Sequence, residues 1–393
     1  MNSSSRPPEV SVRFEFATAG RILFGPGYAS ALPGVCRELG GRAALFAGAP
    51  AGVVAELAAG IEGQGVSVSV FAVPVEPGFD AAAESADALR EGSFDLVIGL
   101  GGGSAIDLAK ASAALAANGG ALEDYMEVVG KGRPLEKPPL PVVAVPTTAG
   151  TGSEVTRNAV LTSPEGVKAS LRSPLMLPMR AVVDPALTRD MPRSLTASTG
   201  LDALAQLLEA FVCTRANPLT DGFCRTGISS AAANLVRACD DGADLGARTG
   251  MSLASLLGGL ALANAGLGAV HGIAAVIGGR FGVPHGEACA ALLAPVTMAN
   301  VSLLERLAPS SPALTRYAEA ATMLTGRIDA GPLDAVEWIE ATCRKLGMKG
   351  LGAWGIASAD LDGIVEAGSR ASSSRSNPVP LTGEFVQFLE RAL

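Results

Sequence analysis

Histidine is nearly missing from this sequence: its 393 residues include two, His271 and His285. Both fall in GLGAVHGIAAVIGGRFGVPHGE (266–287), an apolar, glycine-rich stretch, and no charged side chain occurs between Arg248 and Arg280. A neutral imidazole has no solvation role in such surroundings. The pair therefore points to a site built around it, against the plainer reading of a hydrogen-bonded core histidine. Charge is also thin, at 17% of residues, with a net −8 and no clustering of Lys and Arg. That argues against nucleic acid and an anionic membrane as main partners. The six cysteines contain no CxxC and no short pairing, which implies a reducing, cytoplasmic setting with thiols acting as small core residues. The N-terminal MNSSSRPPEV lacks an apolar core, so residues 1–10 read as a disordered tail and not a signal peptide. The uncharged run from Thr249 to Gly279 is long enough to cross a bilayer. Its recurrent glycines, Asn264, His271 and missing basic flank instead predict two buried helices joined near Gly266–Gly268.

What the sequence does have is apolar mass, 48% of residues, enough for a large core in two domains. Residues 11–24 alternate and predict a hairpin or edge strands, broken by Gly25-Pro26-Gly27. Strands are expected at 43–47, 66–73, 94–100 and 142–145, and helices at 29–39, 53–59, 79–91 and 105–117. Strand and helix alternating in this way predict a parallel sheet covered on both faces. A hairpin is expected through 159–171. From about Pro192 the strand signals stop and Ala/Leu/Gly helical patterns run to the end. The fold class is an α/β N-terminal domain (residues 11–190) followed by an all-α C-terminal domain (191–393). Ser372–Asn377 reads as a polar loop before a last helix, Thr382–Leu393.

Three stretches can carry chemistry. Gly101–Ser104 follows a buried strand and opens a helix, where backbone amides and the helix N-terminus favour a phosphate. PTTAGTGSEVT (146–156), rich in hydroxyls, suits contact with ribose and pyrophosphate after a neighbouring strand. In TGLDALAQLLEAF (199–211), Thr199 is expected to cap a helix that puts Asp202 and Gln206 on one face. Asp202, His271 and His285, with Gln206 as a possible amide ligand, then form a candidate centre for a catalytic divalent metal. Such nitrogen and oxygen donors suit Zn²⁺ or Fe²⁺ and do not choose between them.

The same motifs carry a family resemblance. GGGSAIDLAK (101–110), PTTAGTGSEVT (146–156), VVDPALT (182–188), TGLDAL (199–204) and VHG…VPHG (270–286) resemble, in order and spacing, the iron-containing (group III) alcohol dehydrogenases. That superfamily also includes glycerol dehydrogenase and dehydroquinate synthase. The resemblance runs from about Phe14 to Ala392. It implies a Rossmann-like N-terminal domain, a metal in the interdomain cleft, hydride transfer between a nicotinamide and a small alcohol or aldehyde, and a homodimer. Carried over by position, Asp202, His271 and His285 match metal ligands, while Gln206 stands where the family has a fourth, histidine ligand. Ala275 stands where many members have a proton-relaying histidine, so a proton must come through water, the ribose hydroxyls or another side chain. Gly48 replaces the carboxylate that binds the ribose 2′-OH in NAD-preferring relatives, which favours NADPH over NADH. Gly102, Gly103, Ser104, Asp107, Thr147, Thr148, Thr151, Ser153, Val155 and Lys168 match cofactor-contacting positions. Arg157, Asn158, Lys168 and Arg280 are candidates to pair with an anionic substrate tail. A maleylacetate-reductase-like or metal-free reductase, and more remotely a dehydroquinate-synthase-like lyase, are the alternatives.

Overall fold

The computed structural model describes residues 13–164 and 166–393; the expected tail, residues 1–10, lies outside them. Eight strands occur among the described residues: β1 (Ile22–Phe24), β2 (Arg42–Gly48), β3 (Ser67–Ala72), β4 (Leu96–Gly101), β5 (Val142–Pro146), β6 (Asn158–Thr162), β7 (Lys168–Arg172) and β8 (Arg180–Val183). Six form one sheet in the order β1-β8-β5-β4-β2-β3, with every pairing parallel. Helices α1 (Leu32–Leu39), α2 (Ala51–Glu62), α3 (Phe79–Gly92) and α4 (Gly103–Asn118) connect them. β4 is buried along its whole length, which is why it reads as an unbroken apolar run. Period-2 alternation sends Ala44, Phe46 and Val97 into the core on one face and Ala43, Leu45 and Ile98 into the core on the other.

Beyond β8 the described chain is helical: α5 (Arg193–Val212), α6 (Pro218–Asp240), α7 (Leu245–Asn264), α8 (Ala269–Phe281), α9 (His285–Leu307), α10 (Pro312–Thr325), α11 (Pro332–Leu346), α12 (Ser358–Arg370) and the single turn α13 (Val386–Leu389). The architecture is a Rossmann-like α/β layer followed by an all-α part. α7 and α9 are long and apolar enough to cross a membrane, yet 67% and 78% of their apolar windows are buried inside the protein, as in core helices.

Four expectations need correction. Among the described residues of 11–24 there is no hairpin; the other expectation, an edge strand, holds for β1 at the end of the sheet. Only Ile22–Phe24 pairs, parallel to β8, because the preceding segment is held by the helices instead: Ala17 N–H donates to Asn264 Oδ1 at 2.7 Å and Phe16 packs on Phe223. β8 has no counterpart in the sequence reading, its four residues being too few to show a period. Thr199 caps nothing. α5 starts earlier, after Pro192, and Thr199 Oγ1 donates to Leu195 O one turn back. Finally, residues 383–392 form two 3₁₀ turns around α13 rather than one helix, and Ser374, Ser376 and Asn377 of the expected polar loop are buried.

Candidate active site

The parallel register brings three strand ends to one level: Gly48 of β2 lies opposite Gly101 of β4, which lies opposite Pro146 of β5. The chain runs outward from β2 to β3 on one side and from β4 to β5 and β8 on the other, so the loops after β2 and β4 diverge around a crevice. Gly101 has φ +150°, and a Cβ there would stand 2.8 Å from Gly48 O, so only glycine fits. Gly102 is the N-cap of α4, with no side chain occupying the first-turn amides, which leaves them available to an anion. Thr148 and Thr151 lie over this turn: a Cβ on Gly102 would meet Thr148 at 3.3 Å, and one on Gly103 would meet Thr151 at 2.9 Å. Thr147 N–H donates to Gly101 O at 2.9 Å. Gly48, Gly102, Gly103, Ser104, Thr147, Thr148 and Thr151 are thus gathered at one sheet edge.

The other residues matched to cofactor positions stand behind that edge. Asp107 accepts from Ser153 Oγ and from Val160 N–H at 2.9 Å. Buried Lys110 donates to Ser153 Oγ at 2.7 Å and pairs with Asp107 at 3.2 Å. These bonds tie the 146–156 loop to α4. Val155 is fully buried, where it packs against α7 at Gly259. Lys168 pairs with Glu76 at 2.8 Å.

The second cluster is built by three helices. α5 presents Asp202, Gln206 and Glu209 on one face, the i, i+4, i+7 spacing; α8 carries His271 in its first turn, and α9 begins at His285. Asp202 Oδ1 lies 3.2 Å from His271 Nε2 and 3.6 Å from His285 Nε2. Glu209 receives His271 Nδ1–H at 2.6 Å through Oε2 and Val270 N–H at 2.6 Å through Oε1. This approach is close enough that a Cβ at Gly268 would be 2.8 Å from Glu209 Oε1. Gln206 donates its amide N–H to Asp202 Oδ2 at 3.2 Å. Cys289, one turn after His285, puts Sγ 3.6 Å from His285 Nε2.

This arrangement calls for a cation. Glu209 can only accept, so the His271 proton sits on Nδ1 and Nε2 turns a lone pair toward the Asp202 carboxylate. Both Asp202 Oδ1 and His271 Nε2 are buried without a hydrogen-bond partner. Two facing lone pairs at that separation repel unless a proton or a metal ion lies between them. In the metal-free protein a proton on His271 can take that place. Burial alone would lower the His271 pKa, but the Glu209 and Asp202 carboxylates outweigh it and push it up to about 10. Burial would raise Asp202, yet the two imidazoles hold it below its ordinary value. Burial lowers the His285 pKa, outweighing the opposing pull of Asp202. Asp202, His271, His285 and Cys289 offer donor atoms all within 4.8 Å of one another.

A cleft of about 420 Å³ bounded by Arg13, Glu15, Arg157, Arg215 and Asn217 shares Arg157 and Arg215 with a smaller recess reaching Arg172, Leu262 and Leu267. Leu262 is one turn along α7 from Gly258, which lies against Gln206. α7 thus both lines the recess and packs against the helix that carries Asp202. Arg172 pairs with Glu127 at 3.4 Å; among the described residues Arg157 and Arg215 face no carboxylate at ion-pair distance. Asn158 lines the recess as well. Lys168 and Arg280 do not, and Arg280 is exposed at the end of α8.

Sequence reasoning missed Glu209 and Cys289. Glu209 was visible as a second acid seven residues after Asp202 in an otherwise apolar helix. Cys289 was visible only through its i+4 spacing from His285.

Comparison with known proteins agrees with this geometry. The sequence matches the family described as iron-containing alcohol dehydrogenase over residues 19–185 and that family's C-terminal region over residues 196–393. It is 37% identical over 346 residues to the long-chain-alcohol dehydrogenase 1 of Geobacillus thermodenitrificans, covering 87% of this chain and 86% of that one. The fold is similar to a solved 1,3-propanediol oxidoreductase, with TM-score 0.89, 31% identity and coverage of 97% of this chain and all of that one. A sulfoacetaldehyde reductase from Bifidobacterium kashiwanohense, solved in complex with NAD⁺, gives TM-score 0.84 at 27% identity over 97% of this chain and 99% of that one. The chain belongs to the iron-containing alcohol dehydrogenase family and is an oxidoreductase acting on CH–OH groups.

Proposed function

We propose that this protein is a divalent-metal-dependent, NADPH-preferring reductase of short aldehydes that bear an anionic tail, running as an alcohol dehydrogenase in reverse. The observation that carries the metal is the buried convergence of Asp202, His271 and His285, whose donor atoms lie within 4.8 Å of one another. Asp202, His271 and His285 would hold Fe²⁺ or Zn²⁺, which supplies polarisation of the substrate oxygen while the nicotinamide supplies hydride. Glu209 fixes the His271 tautomer, and Gln206 fixes Asp202 through Oδ2, leaving Oδ1 directed at the centre. The turn at Gly102–Ser104 and the threonines of 147–151 would hold the pyrophosphate. Gly48 ends β2 without a carboxylate, and no charge follows it before Glu56, so a 2′-phosphate meets no repulsion there.

The anionic tail is supported by Arg157 and Arg215 in a recess bordered by α7, where a guanidinium can grip carboxylate, sulfonate or phosphonate. The named substrate of the sulfoacetaldehyde reductase is of this kind. Six free cysteines support a reducing, cytoplasmic location, and a homodimer is proposed from the family, to be checked by light scattering. A domain division near residue 190 is proposed from the change in texture between β8 and α5.

The test is oxidation of NADPH and, in parallel, NADH against neutral and anionic short aldehydes, by metal-free protein and after addition of Fe²⁺ or Zn²⁺. Metal-restored turnover, faster with NADPH and at lower KM for the anionic aldehydes, is expected. Cofactor binding without turnover under any metal would overturn the reading and favour a metal-free relative.

A further inference from the structure

The donor set around Asp202 is completed from an unexpected direction. Gln206, which stands where a fourth ligand was sought, spends its amide N–H on Asp202 Oδ2. Asp202 Oδ2 can only accept, so the amide nitrogen and not the oxygen must face it. Across the cluster stands Cys289, fully buried, with Sγ 3.6 Å from His285 Nε2. His285 and Cys289 are separated by one turn of α9, so both side chains project from one helix face. A tetrahedral zinc site with the usual bond lengths has N···O edges of about 3.4 Å and N···S edges of about 3.6 Å. Here the corresponding separations are 3.2 and 3.6 Å from Asp202 Oδ1 to the two imidazoles and 3.6 Å from Cys289 Sγ to His285. The other five cysteines join no such group among the described residues.

We propose that Cys289 is the fourth protein ligand, as a thiolate, so that the centre is Asp202-His271-His285-Cys289 and selects Zn²⁺ over Fe²⁺. On binding, the Sγ–H bond breaks, its proton leaves to solvent, and an Sγ–metal bond forms; nothing is oxidised or reduced. A single soft thiolate among nitrogen and oxygen donors shifts preference toward zinc. The thiol has no other polar partner outside the cluster, so nothing competes with this role. The inference rests on the reading that Asp202 and the two histidines hold a divalent metal.

X-ray absorption at the zinc edge of the full chain loaded with Zn²⁺ tests it directly. One sulfur at about 2.3 Å beside nitrogen and oxygen at about 2.0–2.2 Å is expected. Cobalt-loaded protein should show a near-ultraviolet thiolate-to-metal charge-transfer band that disappears in Cys289→Ser, with zinc affinity down at least ~10-fold. Offered equal Fe²⁺ and Zn²⁺ without oxygen, the wild-type protein should retain zinc. Stoichiometric metal bound with only nitrogen and oxygen neighbours would overturn the Cys289 assignment and leave the three-residue metal centre standing. Failure of the wild-type protein to bind Zn²⁺, Co²⁺ or Fe²⁺ would overturn both. If Cys289→Ser does not fold, the wild-type absorption spectrum decides alone.

Discussion

Replacing Glu209 by Gln changes one buried atom and should weaken the metal centre without unmaking the fold. Glu209 accepts from His271 Nδ1 and from Val270 N–H, each at 2.6 Å. A glutamine has the same shape but one acceptor and one donor end, so it satisfies only one of those donors. With its oxygen on Val270 N–H, the amide NH₂ faces His271 Nδ1. The ring proton must then move to Nε2, and the lone pair directed at Asp202 is lost. With its oxygen on His271 instead, the NH₂ faces Val270 N–H and a buried donor goes unsatisfied, at a cost of about 1–3 kcal/mol. Either orientation penalises the metal-bound state, and removal of such an orienting carboxylate typically weakens metal affinity ~10–100-fold, about 1.4–2.7 kcal/mol. Competition for Zn²⁺ against a chromophoric chelator measures this, with the melting temperature of the metal-free protein as the control for folding. Equal affinity in Glu209→Gln and wild type would refute the orienting role assigned to Glu209 in the metal centre.

Three other perturbations separate parts of the reasoning. Glu154 is buried and its pKa is pushed up to about 7 by burial, against the opposing pull of Lys110; the unfolded value is near 4.5. A carboxyl raised on folding gives its full contribution below pH 4.5, loses it as pH rises toward 7, and stays at the reduced level above. Glu154→Gln should therefore gain stability relative to wild type at pH 8, by no more than about 3 kcal/mol, and the gap should close in melts at pH 4.5. Arg157→Ala should raise KM for carboxylated or sulfonated aldehydes ~10–100-fold, the loss of one charged hydrogen bond, while steady-state kinetics on neutral aldehydes stay near wild type. Gly101→Ala forces an alanine into φ +150° with its Cβ 2.8 Å from Gly48 O. It should cost about 2–4 kcal/mol in chemical denaturation and reduce cofactor binding as measured by nucleotide fluorescence.

How much of this was legible in the sequence divides by the range of the interaction involved. β4 and α4 are readable because a buried central strand is apolar at every position and the glycine turn after it must let backbone approach backbone. The crevice at the strand ends follows once the strands are taken as parallel, since register then brings Gly48, Gly101 and Pro146 to one edge. The meeting of Asp202, His271 and His285 was legible because histidine is so rare here that both copies had to be explained. What stayed hidden depends on contacts between elements distant in sequence. β1 fails to form a hairpin because Asn264, across the molecule, claims its approach segment. α5 starts at Arg193, after Pro192, with its first turn anchored from a distance: Arg193 donates to Leu346 O and buried Arg248 donates to Thr196 Oγ1, so a threonine suited to capping ends up inside the helix. Cys289 looked like one more small core thiol because burial and ligation demand the same residue type in the same apolar helix. Only the packing of α9 against α5 and α8 distinguishes it, by setting its sulfur at a tetrahedral edge length from His285, while among the described residues the other five thiols join no group of metal-donor side chains. A carboxylate and two imidazoles read along the chain therefore predict that a metal binds, but the fourth side chain proposed to choose that metal, Cys289, comes beside them only where three helices meet.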